Sequence, residues 1–274
     1  MAGSPRIAVG RGAWIPRRSS SFALAPGRLL NDQEDGPQGP YRLLTGCGTV
    51  EVSPPGEQGE DQGWKIMYIY SAQLQAKPGK GGKAGRALTE IRDTLIRVLG
   101  QPVHAWAVVA GAPLGAFALS TRVDSLANLV DLQMRLAADE DYQDQAAKIG
   151  KLWAMPAETN LNRIVAFAGE TGDPKPMTAV TRATIAPGQV RAAAAAGNDL
   201  LELVTAMSGA PGLMTMSVTG SFNDLSWIFA YESAEEADAA VDSVLGNADY
   251  MERVDGMAGL FVPGSERFLL AQLP

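Results

Sequence analysis

This chain contains one pattern twice. Asp141-Tyr142 recurs as Asp249-Tyr250, 108 positions later, and the same offset pairs Ser125 with Ser233, Leu152 with Leu260 and Trp153 with Phe261. Met67 and Met177 open the two copies at an offset of 110. The two-residue difference is expected in the first loop, where a change in length costs little. Each copy must therefore fold as its own unit, and the two units must resemble one another.

The element order within a copy follows from periodicity. Lys65 to Leu74 is rich in β-branched and aromatic residues and reads as a strand. The glycine-rich stretch Lys77 to Gly85 reads as a loop. Leu88, Ile91, Leu95, Val98 and Leu99 repeat at helical spacing and stop at Gly100. Val103 to Ala110 and Ala116 to Arg122 are strands around a Gly-Ala-Pro turn. Asp124 or Ser125 can cap the next helix, whose buried face is Leu126, Leu129, Val130, Met134 and Ala137. Leu161 to Ala168 closes the unit. After a turn-rich linker, Gly169 to Pro176, the order recurs: a strand from Met177, a helical stripe Leu200, Leu203, Val204, Met207, a strand pair, a helix and a last strand, Arg267 to Leu273. The expected divisions are residues 64–170 and 177–273, each βαββαβ.

Residues 1–62 read differently. Met1 to Leu30 holds Arg6, Arg11, Arg17, Arg18 and Arg28 and no acid, and the following stretch is rich in Gly, Pro, Gln and acids. Neither has useful periodicity, so a disordered or non-native leader is expected rather than a transit peptide. Over the whole chain, 46% hydrophobic and 19% charged residues fit an ordinary globular protein. No apolar run reaches the roughly 18 residues that span a bilayer, so no membrane partner is expected. A net charge of -7 argues against nucleic acid. The single cysteine, Cys47, excludes an intramolecular disulfide and fits a cytoplasmic setting. His104 is the only histidine, which removes most metal motifs, and neither metal nor cofactor is expected.

The strands are apolar at both parities: Tyr68 and Tyr70 on one side, Met67 and Ile69 on the other. Both sheet faces therefore need cover, and a second copy, laid sheet against sheet, supplies it while protecting the edges. The βαββαβ order, with a Asp-Tyr pair late in the second helix and a Leu-aromatic pair after it, resembles the dimeric α+β-barrel superfamily over about Trp64 to Leu273. That resemblance implies an α+β fold, two ferredoxin-like units fused in one chain and closed into a barrel. The superfamily includes antibiotic-biosynthesis monooxygenases, NIPSNAP-like proteins, chlorite dismutases and dye-decolourising peroxidases. Its haem-binding members carry their axial histidine later in the unit, near a helix, where this chain has none.

The candidate site lies in the first unit. His104, Trp106 and Val108 share one strand face, and Tyr68 and Tyr70 share a face of the first strand. Cofactor-independent oxygenases of the superfamily line a hydrophobic cavity with Tyr, Trp, Asn, Arg or His. By that resemblance His104 and Tyr70 are candidate catalytic groups, and Tyr68, Trp106, Asn162, Arg163 and Arg182 candidate substrate contacts. The bland readings are commoner: a strand-end histidine satisfied by its own fold, aromatic core, and surface ion pairs. The recurrent Asp-Tyr pairs read as structural, and Pro78 to Gly82 lacks a phosphate-loop pattern. At the offsets above, His104 meets Gly212, Trp106 meets Met214, Tyr68 meets Thr178 and Tyr70 meets Val180. The chemistry is thus concentrated in one copy, although the strand faces that point inward are undecided.

The resemblance implies an oxygenase or cyclase acting on an aromatic polyketide-like small molecule, by deprotonation at His104 or a tyrosinate. The alternative is a non-catalytic NIPSNAP-like binding or stress-associated barrel. Homodimerisation is left open.

Overall fold

The computed structural model describes residues 67–170 and 172–274. The leader reading for residues 1–62, Cys47, and the start of the first expected strand, Lys65 and Ile66, fall outside the described residues. The first unit runs β1 (Tyr68–Gln75), α1 (Gly81–Leu99), β2 (His104–Ala110), β3 (Ala116–Val123), α2 (Leu126–Ala138), α3 (Glu140–Gly150) and β4 (Glu158–Ala168). The second runs β5 (Met177–Thr184), α4 (Val190–Ser208), β6 (Gly212–Ser217), β7 (Asp224–Tyr231), α5 (Ala234–Leu245), α6 (Ala248–Gly256) and β8 (Glu266–Gln272).

Local sequence explains the helix ends. α1 buries Ala84, Leu88, Ile91, Leu95 and Leu99 along one stripe and stops at Gly100, which takes the left-handed conformation and returns its N–H to Ile96. α2 and α5 begin where Ser125 and Ser233 accept a hydrogen bond from the backbone N–H three residues on. The second crossover differs from the single helix expected. It breaks at Asp139 in one unit and Asn247 in the other, each of which caps a new helix by accepting from the N–H of Tyr142 or Tyr250. The Asp-Tyr pairs thus sit in the first turn of α3 and α6, not late in a longer helix, and their recurrence records this cap.

The eight strands close into one barrel in the order β1-β3-β2-β8-β5-β7-β6-β4, every neighbouring pair antiparallel. Each unit contributes a four-stranded sheet, and the two meet edge to edge, β2 with β8 and β4 with β6. No strand edge is left open. Directions alternate around the ring, so β1, β2, β5 and β6 all point the same way. The turns after β2 and β6 and the loops after β1 and β5 consequently lie at one end of the barrel.

Register between the copies follows from the pairing. Tyr68 faces Val123 as Met177 faces Tyr231, and His104 faces Ser120 as Leu213 faces Ile228. The offset is therefore 109 through β1, α1 and β2 and 108 from β3 onward. The length difference is one residue, and it sits in the turn Gly111 to Gly115 against Gly220 to Asn223, not in the first loop. Asn223, with φ of 67°, takes the left-handed place that Gly115 holds in the first unit at 82°.

Candidate functional site

Pairing and packing together fix which strand face points inward. Tyr68 and Tyr70 pack beneath α1 and α2 with Leu95, Leu99, Leu132, Leu136 and Leu161. Ala105 and Phe117 likewise pack under α1 and α3 with Leu88 and Trp153. The alternate residues face the lumen: Ile69, Ser71 and Gln73 on β1; His104, Trp106 and Val108 on β2; Ala118, Ser120 and Arg122 on β3. By the same registers Asn160, Asn162 and Ile164 of β4, Val180 and Arg182 of β5, Leu213 of β6, Ile228 of β7 and Phe268, Leu270 and Gln272 of β8 also face inward. Ile69, Ile164, Val180, Leu213, Ile228, Phe268 and Leu270 are only half-buried although they line the inside of a closed barrel. Solvent therefore reaches the lumen.

The sequence candidates divide accordingly. His104 and Trp106 project into the lumen together, with ring centroids 6.3 Å apart. Tyr68 and Tyr70 do not join them. They lie on the opposite sheet face, because only that parity puts their rings into the apolar seam under the helices. Burial, with Tyr70 close by, raises the pKa of Tyr142 in the same seam. Tyr70 is thus far from any lumen-bound molecule, and a tyrosinate role for it is withdrawn. Arg163 pairs in register with Tyr68, is exposed, and is directed away from the lumen. Asn162 faces inward and accepts from the Ser217 hydroxyl at 3.1 Å. Arg182 also faces inward, but its guanidinium pairs with Glu266, lies 4.0 Å from Asp224 and sits over the Phe268 ring.

Around His104 the lumen wall is polar. Trp106 Nε1 donates to Ser120 Oγ at 2.9 Å, which ties the indole to β3. The Gln272 amide meets His104 Nδ1 at 3.2 Å across the seam between the units. Gln272 is itself fixed by its backbone N–H on the Pro176 carbonyl, 2.8 Å away. Burial first, and then the positive charge of Arg122, hold the His104 pKa below the ordinary histidine value, and Asp173 offsets part of this. The imidazole is therefore neutral near pH 7. To the same lumen the second unit contributes Val180, Leu213, Ile228, Phe268 and Leu270, with Thr178, Arg182, Thr215, Ser217 and Ser226 among them. The true counterparts of His104 and Trp106 are Leu213 and Thr215. Gly212 and Met214, met at the uncorrected offset, pack under the helices instead.

Gln272, Ser120 and Arg122 were not found from sequence. Ser120 follows once the β2–β3 hairpin register is known. Gln272 reaches His104 only through the β2–β8 seam, which no local pattern announces. Among the described residues no group of three or more His, Cys, Asp or Glu side chains gathers to hold a metal ion.

No family model and no curated protein sequence matches the chain. Solved structures do. One is a protein of Fusobacterium nucleatum, provisionally named a monooxygenase: 9% identity, TM-score 0.59, covering 77% of this chain and 94% of that one. A second is an anthrone oxidase-like protein, with 13% identity and a TM-score of 0.56 over 78% and 93% of the two chains. A third, from Lactobacillus acidophilus and also provisionally named a monooxygenase, has 9% identity and a TM-score of 0.53 over 76% and 95%. At these identities the likeness is one of fold. The chain folds as a dimeric α+β barrel whose two halves are fused into one polypeptide.

Proposed function

We propose that this chain is a cofactor-independent oxygenase that takes an aromatic, polyketide-like small molecule into the barrel lumen. The observation that carries this reading is the single histidine, neutral and buttressed by Gln272, on a polar wall with Trp106 and Ser120. Leu213, Ile228 and Phe268 of the second unit add apolar surface to the same lumen. An aromatic molecule with a phenolic or ketone edge suits a lumen that mixes apolar surface with a few polar groups. The names of the structural neighbours add support, one of them being anthrone oxidase-like.

The chemistry follows from the histidine's surroundings. The Gln272 amide N–H donates to Nδ1, which places the proton of the neutral imidazole on Nε2 and leaves Nδ1 as its one basic nitrogen. A substrate that displaces the Gln272 amide gives up an acidic C–H or O–H proton to Nδ1, and the Arg122 charge that lowers the imidazole pKa also favours the resulting anion. The carbanion form of an anthrone adds dioxygen to give a hydroperoxide. Loss of water yields the quinone, with one oxygen atom in the new carbonyl and the other in the water. A cyclase would use the same anion for ring closure, without oxygen.

The test is oxygen consumption by the purified chain with an anthrone and no added cofactor. The expected result is one dioxygen consumed per quinone formed, with turnover falling roughly 10²–10⁴-fold in His104→Ala and by less in Gln272→Leu. Unchanged turnover in His104→Ala rejects its role as the base. Substrate loss without oxygen uptake points to the cyclase. One observation favours a non-catalytic binding barrel: Asn162 and Arg182 are already engaged by Ser217 and Glu266, so fewer groups remain for a reacting anion.

A further inference from the structure

The two most exposed large apolar side chains in the described molecule occupy equivalent positions. Leu114, 96% exposed, stands at the tip of the β2–β3 turn, and Phe222, 81% exposed, at the tip of the β6–β7 turn, 108 positions later. Strand directions put both tips at the same end of the barrel. Val109, Val218, Met155 and Val262 are exposed at that end as well. Isolated exposed apolar residues are ordinary, but a ring of them around one opening marks a contact surface. Nothing in the turns requires them, since neither side chain packs into the core.

Charge is placed just as unevenly. Gln75 Nε2 donates to the Leu114 carbonyl, the Lys77 N–H donates to the Leu152 carbonyl, and Lys77 Nζ donates to the Lys151 carbonyl. Lys77, Lys80 and Lys151 therefore stand beside the Leu114 tip, exposed and, among the described residues, without a carboxylate partner. Their counterparts in the second unit are Ala186, Gln189 and Gly259. The chain carries a net charge of -7, so a lysine corner on this one face runs against its overall balance.

We propose that this end of the barrel docks on an anionic lipid surface, with Phe222 and Leu114 entering the interface and the lysine corner meeting the headgroups. Among the described residues no helix is long and apolar enough to cross a membrane, and the contact is peripheral. The lysine corner beside the two apolar tips is the charge complement of an anionic lipid surface, and that selects this occupant. The proposal does not depend on the lumen chemistry.

The test is sedimentation of the full-length chain with phosphatidylcholine vesicles and with vesicles containing phosphatidylglycerol, at low and high salt. Binding is expected to the anionic vesicles only and to weaken with salt. About tenfold or greater weakening is expected for Lys77→Glu/Lys80→Glu/Lys151→Glu together, and comparable weakening for Leu114→Ser/Phe222→Ser. The arginines near the N-terminus could bind the same vesicles, and in that event both variants would bind as tightly as the parent, which overturns the proposal. Phe222→Trp gives a second readout: its fluorescence is expected to be quenched by brominated lipid, and an unquenched signal in bound protein overturns the proposal too. So does a dimeric parent chain that Leu114→Ser/Phe222→Ser makes monomeric, because the face would then be a self-interface.

Discussion

His104 is the residue on which the chemistry turns, and its state is measurable because the sequence has no other histidine. Burial and Arg122 lower its pKa, so its NMR titration midpoint is expected below the ordinary value of about 6.5. Removing the Arg122 charge, in Arg122→Gln, is expected to raise that midpoint, and a fall or no change would show that Arg122 does not act on the imidazole. The same shift links to stability. A histidine with a depressed folded-state pKa binds more protons unfolded than folded. Its contribution is therefore complete above about pH 6.5 and is lost as pH falls through the lower folded value. Mutation of His104 to Leu would remove that slope, and a melting-temperature series across pH 5 to 7 tests it. Tyr70 shows what sequence left undecided at this scale. Tyr70 and Ile69 are both apolar enough to serve either sheet face, so alternation alone could not say which ring met the lumen.

At the scale of elements, most of the fold was legible. Leu88, Ile91, Leu95 and Leu99 repeat at helical spacing because one helix face must be buried, and they mark α1 as found. The break at Asp139 was not legible, because the apolar pattern of Leu132 and Leu136 runs on into Tyr142 and Ala146 with nothing forbidding a continuous helix. The copy-to-copy offset slipped by one because the β2–β3 turn is one residue longer, and that moved the counterpart of His104 from lumen to helix face. The turn itself carries a prediction. Gly111 has φ of 90°, and a Cβ there would run into the Arg267 carbonyl at the β2–β8 seam. Gly188, with φ of 79°, has open space around it. Gly111→Ala is expected to cost about 2 kcal/mol or more and Gly188→Ala about 1 kcal/mol, read from denaturant melts. Equal costs would mean that the seam can yield and that closure at β2–β8 is looser than described.

For the whole molecule, fusion of the units allows a division of labour that a symmetric pair of identical units cannot have. The second unit keeps the barrel shape while replacing His104 and Trp106 with Leu213 and Thr215. It also fills its helix-to-sheet core differently: Gly197 replaces the Leu88 of the first unit, and its carbonyl accepts from Trp227 Nε1 at 2.8 Å. The result is one lumen in which the His104 and Trp106 pair occurs on one side only. Element order predicted the barrel, but the site is assembled across a seam between residues as distant as His104 and Gln272, and local sequence cannot announce such a pairing.

On the proposed function, an aromatic molecule enters the lumen and rests against His104. The most direct test is to follow the imidazole signals of this one histidine by ¹H–¹³C NMR while titrating an anthrone or a related phenol under anaerobic conditions, where no turnover occurs. Saturable movement of the His104 signals, reduced in Leu213→Trp because the added ring takes up space in the lumen, is the predicted result. Signals that stay in place while the ligand binds elsewhere, or while it does not bind at all, would contradict it.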